Sequence, residues 1–280
     1  MRDRIAASWA LWSVLAAQTT LTVPWMWRTG PYSGEALYLS AGHAGWSQMG
    51  AYTASMPGAP WLYPPLAAWF NSWGGLIAAR LLSLSFMLAA TALVYLMGDR
   101  MFGQISGLLA ALLFAVCGIV VHLGAAATFD PMALFFLVLS LYAAVRMRDG
   151  RVGWVLLCPL ALAAANAAKY NTIAWDPLII GTVFLYGWSK KVQAVCLTLS
   201  VAATVAVLDI GMLLLAGGTD FARSVLLNTF YRPQAGPPTT TLGVFGHAAL
   251  MTGLIVLIAV AGVWVSMIKR MPASATLFLC

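Results

Sequence analysis

Long apolar runs, interrupted by single charges and by Gly and Pro, organise this chain, and most approach the length of about 20 residues that a helix needs to cross a hydrocarbon layer. The first runs from Ile5 to Trp27, the second from Leu76 to Met97, the third from Ile105 to Ala125 and the fourth, shorter, from Pro131 to Val145. A weaker pair, Gly153 to Ala168 and Ile173 to Gly187, is separated by the polar Lys169, Tyr170 and Asn171, as in a tight hairpin. Val192 to Leu215 and Phe245 to Met267 complete the series. The pattern predicts an all-α polytopic membrane protein of about eight spans, forming a single transmembrane domain over residues 1–280. Met271 to Cys280 begin a further apolar run that stops short of a crossing, so a C-terminally truncated chain is expected.

Composition agrees with this reading and supplies an orientation. Hydrophobic residues make up 62%, charged residues only 8%, and mean hydropathy is +0.88, far from the roughly one-quarter charged content of soluble domains. Basic residues near helix ends are retained on the cytoplasmic side. Placing the N-terminus inside puts Arg2, Arg4, Arg100, Arg146, Arg148, Arg151, Lys190, Lys191, Lys269 and Arg270 there, out of 15 Lys and Arg in all. Glu35, Asp130, Asp176, Asp209 and Asp220 then fall outside or in outer halves of helices. The net charge of +7 is thus a topology signal, and no continuous basic patch with interleaved aromatics points to nucleic acid. Cys117, Cys158 and Cys196 lie within predicted spans and Cys280 ends the chain, so neither a disulfide framework nor a zinc spacing is present. The first run has a basic start but no convincing small-residue cleavage site, which reads as a retained anchor.

The first outer loop, residues 28–75, is long for a structureless connection and rich in aromatics: Tyr32, Tyr38, Trp46, Tyr52, Trp61, Tyr63, Trp69 and Trp73. Such rings favour the membrane interface, and two interfacial helices are expected, Ala36 to Trp46 with Leu37 and Tyr38 toward lipid, and Leu66 to Trp73. Glu35 is the one acid in this loop. Asp130 follows the third run before Pro131 and suits a helix cap. Two carboxylates on one face can also divide base and metal-binding roles, which makes Glu35 and Asp130 candidates for both. Lys169 and Arg80 are cations near the same face, each able to snorkel to headgroups or to meet an anion, Arg80 in the bidentate manner that suits a phosphate. His43 and His122 are further candidates, His122 lying two turns before Asp130.

The ordered stretches Gly34-Glu35-Ala36-Leu37-Tyr38, Tyr63-Pro64-Pro65-Leu66, Ala79-Arg80-Leu81-Leu82-Ser83-Leu84, Asp99-Arg100-Met101-Phe102-Gly103, Thr128-Phe129-Asp130 and Ala168-Lys169-Tyr170-Asn171 resemble the polyprenyl-phosphate-sugar glycosyltransferases of the GT-C class. The bacterial members of glycosyltransferase family 39, similar to protein O-mannosyltransferases and lipid A aminoarabinose transferases, are the nearest in pattern. The resemblance covers most of residues 1–270. It implies a plasma-membrane enzyme that transfers a sugar, with inversion, from a polyprenyl-phosphate donor to a glycan, lipid or protein acceptor at the outer membrane face. It implies Glu35 and Asp130 as the acidic site residues, Arg80 or Lys169 on the donor phosphate, and a divalent cation such as Mg or Mn held by the two acids. Tyr38, His43, Tyr63, His122 and Tyr170 are the expected substrate contacts. The chain departs from the family in having Gly34 where an Asp is usual and Tyr63 where several relatives carry Lys.

Two other function classes fit part of the pattern. Acids within spans, here Asp176 and Asp209, often mark ion pathways in transporters or flippases, and Pro159 and Pro177 interrupt their helices, although no internal repeat is evident. A lipid-binding relative without catalysis would fit Gly34 and the short length. Sugar transfer separates the enzyme from both.

Overall fold

The computed structural model describes residues 2–44, 62–186, 191–215 and 223. Its contacts divide the chain into two units, Met1–Val116 with Val120–Arg232, and Cys117–Ile119 with Pro233–Cys280. The first holds the site and its supports, and of the second only residues 117–119 are among those described.

Among the described residues the regular structure is all helical, with no strand. The helices are α1 (Arg2–Arg28), α2 (Ser33–His43), α3 (Tyr63–Phe102), α4 (Gln104–Val116), α5 (Gly118–Ala125), α6 (Asp130–Arg146), α7 (Val152–Ala168), α8 (Asp176–Tyr186) and α9 (Lys191–Leu215), with short 3-10 turns at Met147–Asp149 and Tyr170–Trp175. Helix α1 covers the whole first apolar run and contains Pro24. Helix α3 opens on Pro64 and Pro65, whose missing N–H groups cost nothing in a first turn. It breaks at Gly74 and at Gly75, where φ is +66°, a conformation that glycine adopts without steric cost. This break separates the expected short helix around Leu66 to Trp73 from the expected second span that begins at Leu76. Helices α4 and α5 share the third run and bend by 60° between them.

Three described helical segments are long and apolar enough to cross a membrane, Tyr63–Phe102, Asp130–Asp149 and Val192–Leu215, and the bent α4 and α5 pair makes a fourth if taken as one span. This is fewer than the expected eight. Helix α7 is apolar but short, and α8 has only 11 residues. The run from Phe245 to Met267, the terminal run from Met271, and Trp46, Tyr52 and Trp61 of the first loop lie outside the described residues. Trp9, Trp12, Trp25, Trp27, Trp69 and Trp73 are exposed, the placement that membrane interfaces favour and water does not.

Two apolar clusters fix the helices around the site. Ala143, Ala144, Met147, Cys158, Leu162, Ile179, Val183, Val201 and Val205 join α6 to α9. Tyr63, Ala67, Leu82, Met132, Ala133 and Ala168, with Tyr38 and Phe129 against them, join α2, α3, α6 and α7 beneath the candidate acids. Tyr38 was expected to face lipid, but it is half-buried in this cluster, because its ring meets Phe129 edge-on at 5.0 Å between centroids. Helices α3 and α4 approach so closely that a Cβ on Gly107 would lie 2.5 Å from the Asp99 backbone nitrogen. Helix association in lipid relies on such small-residue contacts. Gly107→Ala is therefore expected to lower the unfolding midpoint in detergent by the equivalent of about 1–3 kcal/mol, whereas the same change at Gly153, which has open space around its Cβ position, leaves it unchanged.

Candidate functional site

The first acid is wholly enclosed. Glu35 sits in the first turn of α2, where negative charge is favoured, and accepts from the backbone N–H of Tyr32 at 3.3 Å. Arg80, one turn past the Gly75 break, donates to Glu35 through Nε at 2.9 Å and through Nη2 at 2.7 Å. The backbone N–H of Ala127 supplies a further donor to Oε1 at 2.7 Å. A carboxylate offers about four lone-pair sites, and four N–H groups occupy them here. The remaining guanidinium hydrogens reach the carbonyls of Met26, Thr29 and Gly30 at the end of α1, so all five donors of Arg80 are taken. Glu35 is 0% and Arg80 1% exposed. Burial acts to raise the Glu35 pKa, but the Arg80 hydrogen bond, the Ala127 and Tyr32 amides and the Arg80 charge outweigh it and hold the carboxyl below its ordinary 4.5.

The second acid is partly exposed. Asp130 begins α6, yet the N-cap position is Phe129 and makes no side-chain cap bond, so the expected capping role of Asp130 gives way to an ion pair. Lys169 Nζ lies 2.5 Å from Asp130 Oδ1, with side chains 35% and 26% exposed. The ammonium also stands 5.4 Å from the centre of the Phe129 ring, within range of a cation–π attraction. Lys169 leaves the end of α7 in an extended conformation, which turns its side chain away from the helix axis.

The two acids are neighbours through the chain. Ala127 bonds Glu35, and Asp130 follows three residues later, so the Asp130 backbone lies within about 14 Å of the Glu35 carboxylate. Tyr32 stands beside both. Burial, then Glu35, Tyr38 and Asp130, push its phenol up to about 12 against the opposing Arg80. Sequence reading placed Tyr32 only among interfacial aromatics, although its position three residues before Glu35 carried the signal. Phe129 was likewise noticed only as a neighbour of Asp130.

Of the other expected contacts, Tyr38 and Tyr63 share the apolar cluster with Phe129, while the histidines and Tyr170 lie apart from it. Tyr63 is buried, its hydroxyl 3.3 Å from Ser83 Oγ. His43 Nε2 pairs with Asn71 Nδ2 at 3.0 Å and ties α2 to the first part of α3. His122 is exposed on α5 and Tyr170 is half-buried at the start of the 3-10 turn after Lys169. The residues do not fit a divalent cation held between the two acids, since four N–H groups already fill Glu35, and among the described residues no group of three metal-ligating side chains converges.

Glu35→Gln would leave the Arg80 guanidinium buried without its counter-ion, and Arg80→Met would do the same to the carboxylate. Each is expected to cost about 3–5 kcal/mol of stability, with the double variant costing less than the sum, measured by unfolding in detergent. Because the folded Glu35 pKa is depressed, its contribution is complete above pH 4.5 and is lost as the pH falls through the lowered value. The parent's melting temperature should therefore fall below that pH more steeply than that of Glu35→Gln.

Neither a curated protein nor a solved structure matches the chain. Residues 56–213 match the family described as dolichyl-phosphate-mannose-protein mannosyltransferase, a range that contains Arg80, Asp130 and Lys169 and begins after Glu35. That range is more than half of the 280 residues, so this membrane chain belongs to the dolichyl-phosphate-mannose-protein mannosyltransferase family.

Proposed function

We propose that this membrane glycosyltransferase moves a sugar from a polyprenyl-phosphate donor to a hydroxyl of a glycan, lipid or protein acceptor, with inversion, at the outer face of the plasma membrane. The family supports sugar transfer in a membrane, and the Lys and Arg distribution supports an outer site with the N-terminus inside. The observation that carries the assignment of roles is the partly exposed Asp130 and Lys169 pair, beside an acid and a cation that are both saturated.

Asp130 is the base. It takes the proton of the acceptor hydroxyl as that oxygen attacks the anomeric carbon, and the bond from that carbon to the phosphate oxygen breaks with its electron pair on the leaving polyprenyl phosphate. Lys169 has three N–H groups and Asp130 takes one, which leaves donors for the phosphate as its charge develops. Arg80 was the alternative phosphate ligand, but its five donors are committed to Glu35 and to carbonyls of the α1 end. Glu35 accordingly acts by position: its bond to Ala127 sets the turn that presents Asp130. The protonated Tyr32 is placed to donate to acceptor or sugar.

Membranes containing the parent chain are expected to transfer sugar from polyprenyl-phosphate donors. Asp130→Asn should reduce the rate by about 10²–10⁴-fold with an unchanged melting temperature, and Lys169→Ala should weaken donor use more than acceptor use. Full activity in Asp130→Asn would remove the base assignment. A parent that binds polyprenyl phosphate without transferring sugar would establish a lipid-binding relative instead.

A further inference from the structure

Asp176 and Asp209, the two acids that stood out as marks of an ion pathway, are joined in the structure to Lys169. Asn166, two residues before the end of α7 and 6% exposed, donates through Nδ2 to Asp209 Oδ2 at 3.0 Å and to Asp176 Oδ2 at 3.2 Å. Its Oδ1 accepts from the Thr172 hydroxyl at 2.6 Å. The amide cannot turn over, because its oxygen would then face two carboxylates. The Thr172 hydroxyl, whose single proton goes to Asn166 Oδ1, also lies 2.8 Å from the Lys169 carbonyl, and that carbonyl accepts from the Thr172 backbone N–H at 3.0 Å, so the hydroxyl anchors Thr172 and its amide holds Lys169. Thr172 is 7% exposed.

Lys169 needs such a clamp, since it leaves α7 with φ of −155° and ψ of 110°. Helix pairing then fixes only the N–H side of the residue whose side chain meets Asp130. The backbone N–H of Lys169 still bonds the Ala165 carbonyl at 2.8 Å, as in the helix. Its carbonyl is the free end, and Thr172 holds it.

We infer that Asn166 and Thr172 are positioning residues for Lys169, locked in turn by Asp176 of α8 and Asp209 of α9, so that these two acids fix the phosphate-binding ammonium. In the enzymatic sense this rests on the proposed function, whereas the geometric part stands without it. The chain of contacts runs from α9 and α8 through the Asn166 amide and the Thr172 hydroxyl to the Lys169 peptide, and from Lys169 Nζ to Asp130 on α6.

Thr172→Val removes the hydroxyl at nearly constant volume, Thr172→Ser retains it, and Asn166→Ala removes the amide. All three are compared with the parent and Lys169→Ala in detergent, at matched melting temperature. Thr172→Val is expected to raise KM for the polyprenyl-phosphate donor about five- to tenfold, the loss expected of one hydrogen bond, with little change in acceptor KM, and Thr172→Ser to restore the parent value. The second readout needs no activity: acylation of Lys169 by a water-soluble amine-reactive ester, followed by mass spectrometry with Lys190 and Lys191 as internal references. Thr172→Val and Asn166→Ala should accelerate Lys169 acylation severalfold by loosening it from Asp130, while Thr172→Ser matches the parent. Unchanged Lys169 acylation in both Thr172→Val and Asn166→Ala would overturn the inference, even with a parent that transfers sugar. Accelerated acylation with a parent that transfers no sugar would sustain the clamp and remove the enzymatic reading alone.

Discussion

One guanidinium holds this end of the protein together. Arg80 projects from α3 into the packed interior, where it is almost wholly buried, and a buried cation is tolerable only when its charge is matched and each N–H has an acceptor. The match is complete here: two bonds go to Glu35 and three to carbonyls at the end of α1, where a helix presents unpaired acceptors and partial negative charge. Because Glu35 also takes the Ala127 N–H, the same ion pair reaches the turn before α6. Four chain segments thus have their relative positions set by groups that tolerate little displacement, since any shift would strand a buried donor or acceptor.

The second pair follows the opposite rule. Asp130 and Lys169 meet at the boundary of the packed region, with Phe129 as an apolar floor and part of each side chain left accessible. A saturated pair can only fix geometry, whereas an ion pair with spare hydrogen-bonding capacity can exchange one partner for a reactant. The saturated pair and the accessible pair are thereby joined by the backbone from Ala127 to Asp130.

Residue type and hydropathy revealed much of the helix content and some of the chemistry. The breaks at Gly74 and Gly75, the Asp130-Pro131 start and the polar stop at Lys169 all follow from local rules of backbone geometry. Asp130, Lys169, Arg80 and Glu35 stood out because charges are rare in so apolar a chain. Their pairing was not legible, because the partners lie 45 and 39 residues apart and sequence gives no measure of which charge meets which. Arg80 shows the limit most clearly. Its residue type suits a phosphate, but three of its five acceptors are backbone carbonyls, which no residue code distinguishes. The short helices α7 and α8 expose the weakness of counting spans by apolar runs, since burial against protein and burial against lipid select the same residues.

The reach of the Glu35 hydrogen bonds also bears on how the chain is made. Ala127 lies 92 residues beyond Glu35 and Arg80 lies 45 beyond it, so a growing chain presents Glu35 to the insertion machinery well before its full set of donors exists, whereas Arg80 is made after all of its acceptors. Until the third apolar run has emerged, Glu35 lacks the Ala127 donor and has only Arg80 and the Tyr32 amide to meet it. Completion of this end is therefore gated by the emergence of residue 127, and an arrest before that point would leave the buried ion pair one donor short.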